Sequence, residues 1–144
     1  MALIKQKEYS TDLRLTAIDI IESSFKIPEV DSDPYTTFNY KADIETRFDT
    51  TKNTILVVLK IQVLTGDQKK LGTIKTGCQY IISNFHEIIK IKSGGDPVIP
   101  APLFETLISI SLSTTRGILY SQFKGTFLHN AILPVFDVKA FNLK

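Results

Sequence analysis

The chain has 144 residues, 43% hydrophobic and 22% charged, with 17 basic against 15 acidic side chains and a net charge of +2. Those totals suit one globular domain, and so balanced a charge, with Lys69-Lys70 the one adjacent basic pair, argues against nucleic acid or an anionic membrane as partner. A single cysteine, Cys78, excludes an internal disulfide and a cysteine-rich zinc site and reads as a buried thiol.

The opening "MALIKQKEYSTD" lacks the apolar stretch of roughly 7–15 residues that marks a secretory signal. No run approaches the roughly 18 apolar residues of a membrane helix, so membrane insertion is not expected and the cytoplasm is the expected compartment. Residues 1–11 are expected to be flexible, with a single domain over 1–144. Residues 13–27, "LRLTAIDIIESSFKI", alternate at Leu13, Leu15 and Ala17, slip around Ile20-Ile21, and alternate again at Phe25 and Ile27. That predicts a strand with a bulge. "PEVDSDPYTT" follows as a loop, because proline breaks a ladder and aspartate favours turns.

From 38 to 49, Phe38, Tyr40, Ala42, Ile44, Thr46 and Phe48 alternate without fault with Asn39, Lys41, Asp43, Glu45, Arg47 and Asp49. One face is to be buried and the other wet, as in an antiparallel sheet. "TTKN" turns the chain, and 54–65 form a β-branched strand with Ile55, Val57, Leu59, Ile61 and Val63 on one face. "GDQKK" makes a hairpin connection. A fourth strand over 71–83 places Ile74, Cys78, Tyr80 and Ile82 together; the sheet spans 12–83, with an extension through "NFHEIIKIK" to 92 left open. Three of the six prolines lie between 97 and 102, so 93–102 reads as a connection.

A long helix over 103–123 is predicted, with Pro102 suited to its first turn. Leu103, Leu107, Ile110 and Ile118 form a stripe that Phe104, Ile108 and Leu119 widen past half the circumference, while Glu105, Ser109, Ser113 and Arg116 take the remaining arc. One sheet face covers one helix face, so the surplus calls for a second partner. A homo-oligomer is the economical expectation, with Leu103, Leu107, Ile108, Ile110, Leu112 and Leu119 as candidate interface residues. Residues 124–144 are a link and a short terminal segment. The fold class is therefore α+β: a four-stranded antiparallel sheet, a meander with a crossover after strand 1, packed by one long C-terminal helix.

Enzymatic chemistry finds little support. His86 and His129 are far apart and neither has a metal-ligand spacing partner. "STTRG" at 113–117 lacks the surroundings of a nucleophile elbow, and its hydroxyls suit close packing or bonds to carbonyls one turn back. "GDQKKLG" and "KSGGDP" match no phosphate or dinucleotide loop. No cofactor, metal or nucleic-acid partner is expected, and no catalytic residue is assigned. A closed pocket of convergent polar groups around His129 or Arg116 would revive an enzyme or ligand-carrier reading.

The ending "KGTFLHNAILPVFDVKAF", 124–141, resembles that of the SecB-type protein-export chaperones, in which a long helix closes at Gly-Thr-Phe and a short apolar link through Pro-Val precedes a second helix. Gly125, Thr126, Phe127, Pro134, Val135 and Phe141 fall on that pattern. "FKIPEVDSDPYTTFNY" looks like the family's first strand, crossover loop and second strand, and "LGTIKTGCQYIIS" like its fourth. The likeness spans residues 12–141 and rests on the ordered set, since each motif alone is mostly apolar residues and turns.

The resemblance implies two sheets joined edge to edge in a dimer, dimers paired through the long helices, and unfolded clients held without ATP in apolar, aromatic-lined grooves. Some members deliver precursors to the export motor; others hold the antitoxin of a toxin–antitoxin system. Export members are acidic and end in a long tail that contacts the motor. Here the charge is +2 and the sequence ends at "FNLK", so the resemblance carries client holding further than motor docking. The candidate groove residues are Ile27, Tyr35, Phe38, Phe123, Phe127, Leu128, Leu133, Val135 and Phe136. The alternative is a dedicated adaptor for one partner or antitoxin segment, with core or interface packing as the plainer role for each residue.

Overall fold

A computed structural model of the chain describes residues 13–26, 37–91 and 94–141. Ile27 and Tyr35, the crossover loop and the leading segment 1–11 lie outside them. Four long strands come first: β1 (Leu13–Phe25), β2 (Asn39–Asp49), β3 (Thr54–Leu64) and β4 (Lys70–Ile82). All neighbours are antiparallel in the order β1-β4-β3-β2, so β2-β3-β4 is a meander and β1 lies across the sheet from the strand that follows it. This is the expected α+β architecture.

Period-two patterning decides the faces. Ile55, Val57, Leu59, Ile61 and Val63 of β3 and Ile74, Cys78, Tyr80 and Ile82 of β4 are all essentially solvent-free. β2 alternates half-buried and exposed until its end, as an edge strand with one wet face does. Asp49 Oδ1 accepts from the backbone N–H groups of Thr51 at 3.0 Å and Lys52 at 3.1 Å, shaping the turn into β3. Those bonds, that of Lys52 foremost, hold the Asp49 carboxyl below the ordinary aspartate range.

After β4 the chain does not continue as strand. Residues Phe85–Ile88 form a helical turn, α1, because Phe85 and Ile89, four apart, both enter the core. Lys90–Ile91 (β5) then pairs with Pro97–Val98 (β6) in a two-residue ladder, a local element inside the predicted connection.

The long helix α2 runs over Ala101–Phe123 and packs on β3 and β4. Phe104, Leu107, Ile108, Leu112, Leu119 and Phe123 face the sheet and are buried. The link after α2 returns Leu128, Ala131 and Leu133 into the same core. A three-residue 3₁₀ turn, Val138–Ala140, stands at the place where the family pattern begins its second helix.

A polar seam is sealed between helix and sheet. Tyr80 Oη donates to the Leu107 carbonyl at 3.2 Å and lies 2.7 Å from Ser111 Oγ, while Thr76 and Thr115 hydroxyls meet at 2.8 Å. Thr115 Oγ1 also donates to the Ser111 carbonyl one turn back at 2.7 Å, as read from the sequence. Such pairs fix where the helix sits along the strands, because a slip would orphan buried hydroxyls.

Burial, the largest influence, pushes the Tyr80 hydroxyl up to about 12, and it likewise raises the Cys78 thiol. An unfolded tyrosine ionises near 10. Stability from Tyr80 is therefore whole below about pH 10 and is lost as the pH climbs toward about 12. Denaturant midpoints measured from pH 8 to 12 should fall across that window in the native protein. They should fall less steeply in Tyr80→Phe, which starts about 1 kcal/mol lower from its lost hydrogen bonds.

Gly72 on β4 fills a second structural role. A Cβ there would stand 2.8 Å from Leu128 Cδ1 and 3.1 Å from Phe123 Cζ. The notch lets the end of α2 and the start of the link seat on the sheet. Gly72→Val should cost about 1–3 kcal/mol in chemical denaturation by overpacking this corner.

Candidate functional site

The helix ends where Gly125 adopts φ +82°, a conformation that glycine takes at little cost. Thr126 then fixes the loop: its Oγ1 donates to the Phe123 carbonyl at 2.7 Å and accepts from the Leu128 N–H at 3.1 Å. His129 Nδ1 lies 2.8 Å from the Thr126 carbonyl, which can only accept, so that nitrogen carries the proton. Thr126 and His129 are thus both occupied in shaping the loop. His129 is exposed. The Arg116 guanidinium donates to the carbonyls of Leu133 at 2.8 Å and Pro134 at 3.0 Å, binding the link to the helix. Among the described residues, no group of three or more His, Cys, Asp or Glu could hold a metal, and no helix is long and apolar enough to cross a membrane.

The same loop forms one wall of an open cleft of about 680 Å3, lined by Tyr120, Lys124, Gly125, Thr126, Phe127, His129, Asn130 and Ile132. Its apolar members are unusually available: Tyr120 is 49% and Ile132 56% exposed, and Val135 further along the link is 91% exposed. On its far side the link passes over β2. There Tyr40 is hydrogen-bonded to the backbone of Ile132, and burial raises its pKa above that of an ordinary tyrosine.

A second apolar strip joins the cleft. Because α2 covers β3 and β4 and the link reaches β2, most of β1 is left uncovered among the described residues. Leu15, Ile18, Ile20 and Phe25 sit opposite Tyr80, Cys78, Thr76 and Gly72, on the helix side of the sheet, yet each is 38–48% exposed. Phe25 meets the rings of Phe123 at 6.1 Å and Phe127 at 5.8 Å, both edge to face. Phe127 lines the cleft, so the β1 strip runs on into it. Apolar and aromatic walls with Lys124, Asn130 and His129 at the rim suit an extended polypeptide, which offers apolar side chains and unpaired amides together.

The predicted residues divide. Phe127 and Phe136 are half-buried and Val135 is exposed; Phe136 stacks edge-on with Phe141 at 6.0 Å. Phe38 is half-buried against the core. Phe123, Leu128 and Leu133 are core residues of the protomer, at most 1% exposed: Phe123 on the buried side of α2, Leu128 and Leu133 where the link folds back into the core. Ile27 and Tyr35 lie outside the described residues. Of the candidate interface, Leu107, Ile108, Leu112 and Leu119 are buried within the protomer itself, and Leu103 and Ile110 stay half-buried at the helix flank. The link adds Leu128, Ala131 and Leu133 to the same core. The strip on β1, Tyr120 and Ile132 were not singled out. The signal for the strip was an apolar strand, "AIDII", whose place at a sheet edge no single sequence pattern reveals.

No family model matches the chain, and no curated protein matches it. Among solved structures, it is similar to the SecB-like chaperone Rv1957 of Mycobacterium tuberculosis, solved in complex with a ChAD peptide from the HigA1 antitoxin. The TM-score is 0.60 at 11% identity over 87% of this chain and 90% of that one. A protein of unknown function from Streptococcus agalactiae aligns over 78% of this chain and 87% of its own at 10% identity, with a TM-score of 0.38, too low to bear on the fold. The chain has a SecB-like fold.

Proposed function

We propose that this protein is a non-enzymatic chaperone that holds unfolded or precursor polypeptides in apolar grooves without ATP, acting in the cytoplasm as a homo-oligomer, a dimer or a dimer of dimers. The observation that carries this is the apolar strip from β1 through Phe25 and Phe127 into the cleft of Tyr120 and Ile132. It is a solvent-facing surface beside an already completed core. Removing apolar surface from water there yields roughly 25 cal/mol per Å2. A protein that binds the unfolded chain alone draws the client's folding equilibrium toward it. The SecB-like fold, shared with a chaperone that binds a peptide, supports the reading.

The test is aggregation of a chemically denatured client diluted into buffer, with and without the protein and with and without ATP. The proposal expects suppression near stoichiometric amounts, unchanged by nucleotide. An unaltered aggregation rate, with no binding of the unfolded chain at micromolar concentration, would sink it.

The second reading is a dedicated adaptor for one partner, favoured by the antitoxin peptide in the complex of the M. tuberculosis chaperone. A narrow client range in pull-downs, with a toxin–antitoxin pair beside the gene, selects it over a general holdase. Delivery to an export motor is a further step, tested by direct binding to that motor.

A further inference from the structure

The cleft at the end of α2 has apolar walls and charge of one sign. Among the described residues that line it, Lys124 is the one permanent ion and there is no carboxylate. His129 spends its Nδ1–H on the Thr126 carbonyl, so the neutral ring keeps Nε2 as an acceptor. That atom suits a backbone N–H of a bound chain and offers nothing to a carboxylate. The cationic contact in the cleft falls to Lys124 alone.

The neighbouring elements add to it. Phe25 lies across from Gly72, and a Cβ on Gly72 would touch Phe123 and Leu128. The end of β1, the start of β4 and the end of α2 therefore meet at one corner. Lys26 donates its backbone N–H to the Leu71 carbonyl at 2.9 Å, and the hairpin into β4 closes through Thr65 and Lys69, with Lys70 next. Lys26, Lys69, Lys70 and Lys124 are all exposed, and the one acid in these segments is Asp67 at the hairpin tip. Among the described residues the one ion pair joins Arg47 to Glu45 on β2, so none of the four lysines is neutralised by a partner. The negative end of the α2 dipole, worth about half a charge, points into the same corner. Four ammonium groups against one carboxylate and that half charge leave the corner positive.

We propose that the cleft selects client segments in which an apolar or aromatic stretch is bordered directly by Asp or Glu, with Lys124 the residue that sets the preference. The apolar stretch lies against Tyr120, Phe127 and Ile132, His129 accepts from its backbone, and the acidic neighbour meets Lys124 at the rim. The inference rests on the holding of clients in this cleft and names which clients are held. A solvated rim charge tunes choice of partner and rate of arrival more than total affinity, so the preference is modest and salt erases it.

Three labelled peptides test it by fluorescence anisotropy. They share one apolar, aromatic core and carry Asp, Gln or Lys on both flanks. At low ionic strength the Asp peptide should bind about threefold to tenfold more tightly than the Gln peptide, and the Lys peptide more weakly than either. In about 1 M salt, where screening acts within about 3 Å, the three should converge. Lys124→Glu should bring the Asp and Gln peptides within about twofold of each other, and Lys124→Arg should keep the native order. Lys90→Glu makes the same change in net charge beyond the far end of β4 and should leave the order as it is. Circular dichroism checks the folding of each variant. Equal affinity of the native protein for the Asp and Gln peptides overturns the proposal and leaves client holding intact. So does a Lys124→Glu variant that keeps the native gap, or a Lys90→Glu variant that loses it. Failure of all three peptides to bind overturns client holding itself, and this inference with it.

Discussion

Ile132→Asp combined with Val135→Asp should weaken binding of an unfolded client at least tenfold, and toward a hundredfold, while leaving the unfolding transition within about 0.5 kcal/mol of the native one. The two side chains are 56% and 91% exposed, so the fold does not depend on them. Burying either against a client is worth about 1.5–3 kcal/mol, and a carboxylate in the same contact must be desolvated besides. The backbone bond between Ile132 and Tyr40 is untouched by either change. Isothermal titration against a denatured client and thermal melts of the same samples check both halves of the expectation. A variant that melts early, or that binds as well as the native protein, contradicts it.

Phe123→Ala should behave in the opposite way. Its ring is 1% exposed, packs against Phe25, and stands over the notch at Gly72. Emptying that space costs about 3–5 kcal/mol, a large part of the 5–15 kcal/mol typical of a domain. Equilibrium denaturation should show the loss directly. Client binding per folded molecule should change little, because the side chain faces inward. The pair of experiments separates residues that the sequence groups together: Phe123, Leu128 and Leu133 hold the protomer, whereas Phe127, Ile132 and Val135 are offered outward.

Why that separation was hidden follows from the physics of patterning. Period two was enough to place Ile55 to Val63, Ile74 to Ile82 and the alternation of β2, because in each a buried and a wet face differ residue by residue. The bulge near Ile21 showed as a broken alternation, and the register of β1 on β4 bears it out. The bulge at Thr16 did not, since Leu15, Thr16 and Ala17 still read as alternating. The helix was legible in type and extent. What covers its wide apolar arc was not: composition cannot tell a link that folds back from a second subunit that docks. The link itself has no period, so Leu133 and Val135, two residues apart, look alike in sequence. They are 1% and 91% exposed because Arg116 grips the carbonyls of Leu133 and Pro134 and turns the chain there. Strand order is non-local, and with it the fact that β1, not β2, is the strand left mostly uncovered among the described residues. The Gly-Thr-Phe ending was informative because each residue acts locally: Gly125 takes the left-handed turn, Thr126 closes it, and Phe127 is left facing the cleft.

The measurement that bears most directly on the proposed function is hydrogen exchange of the native protein with and without a saturating unfolded client, read peptide by peptide. Protection should appear on binding at residues 15–25 and 120–136, where β1 and the link form one apolar surface, and the charged outer face of β2 should be unchanged. Protection confined to β2, or none anywhere at client concentrations well above micromolar, would contradict the account.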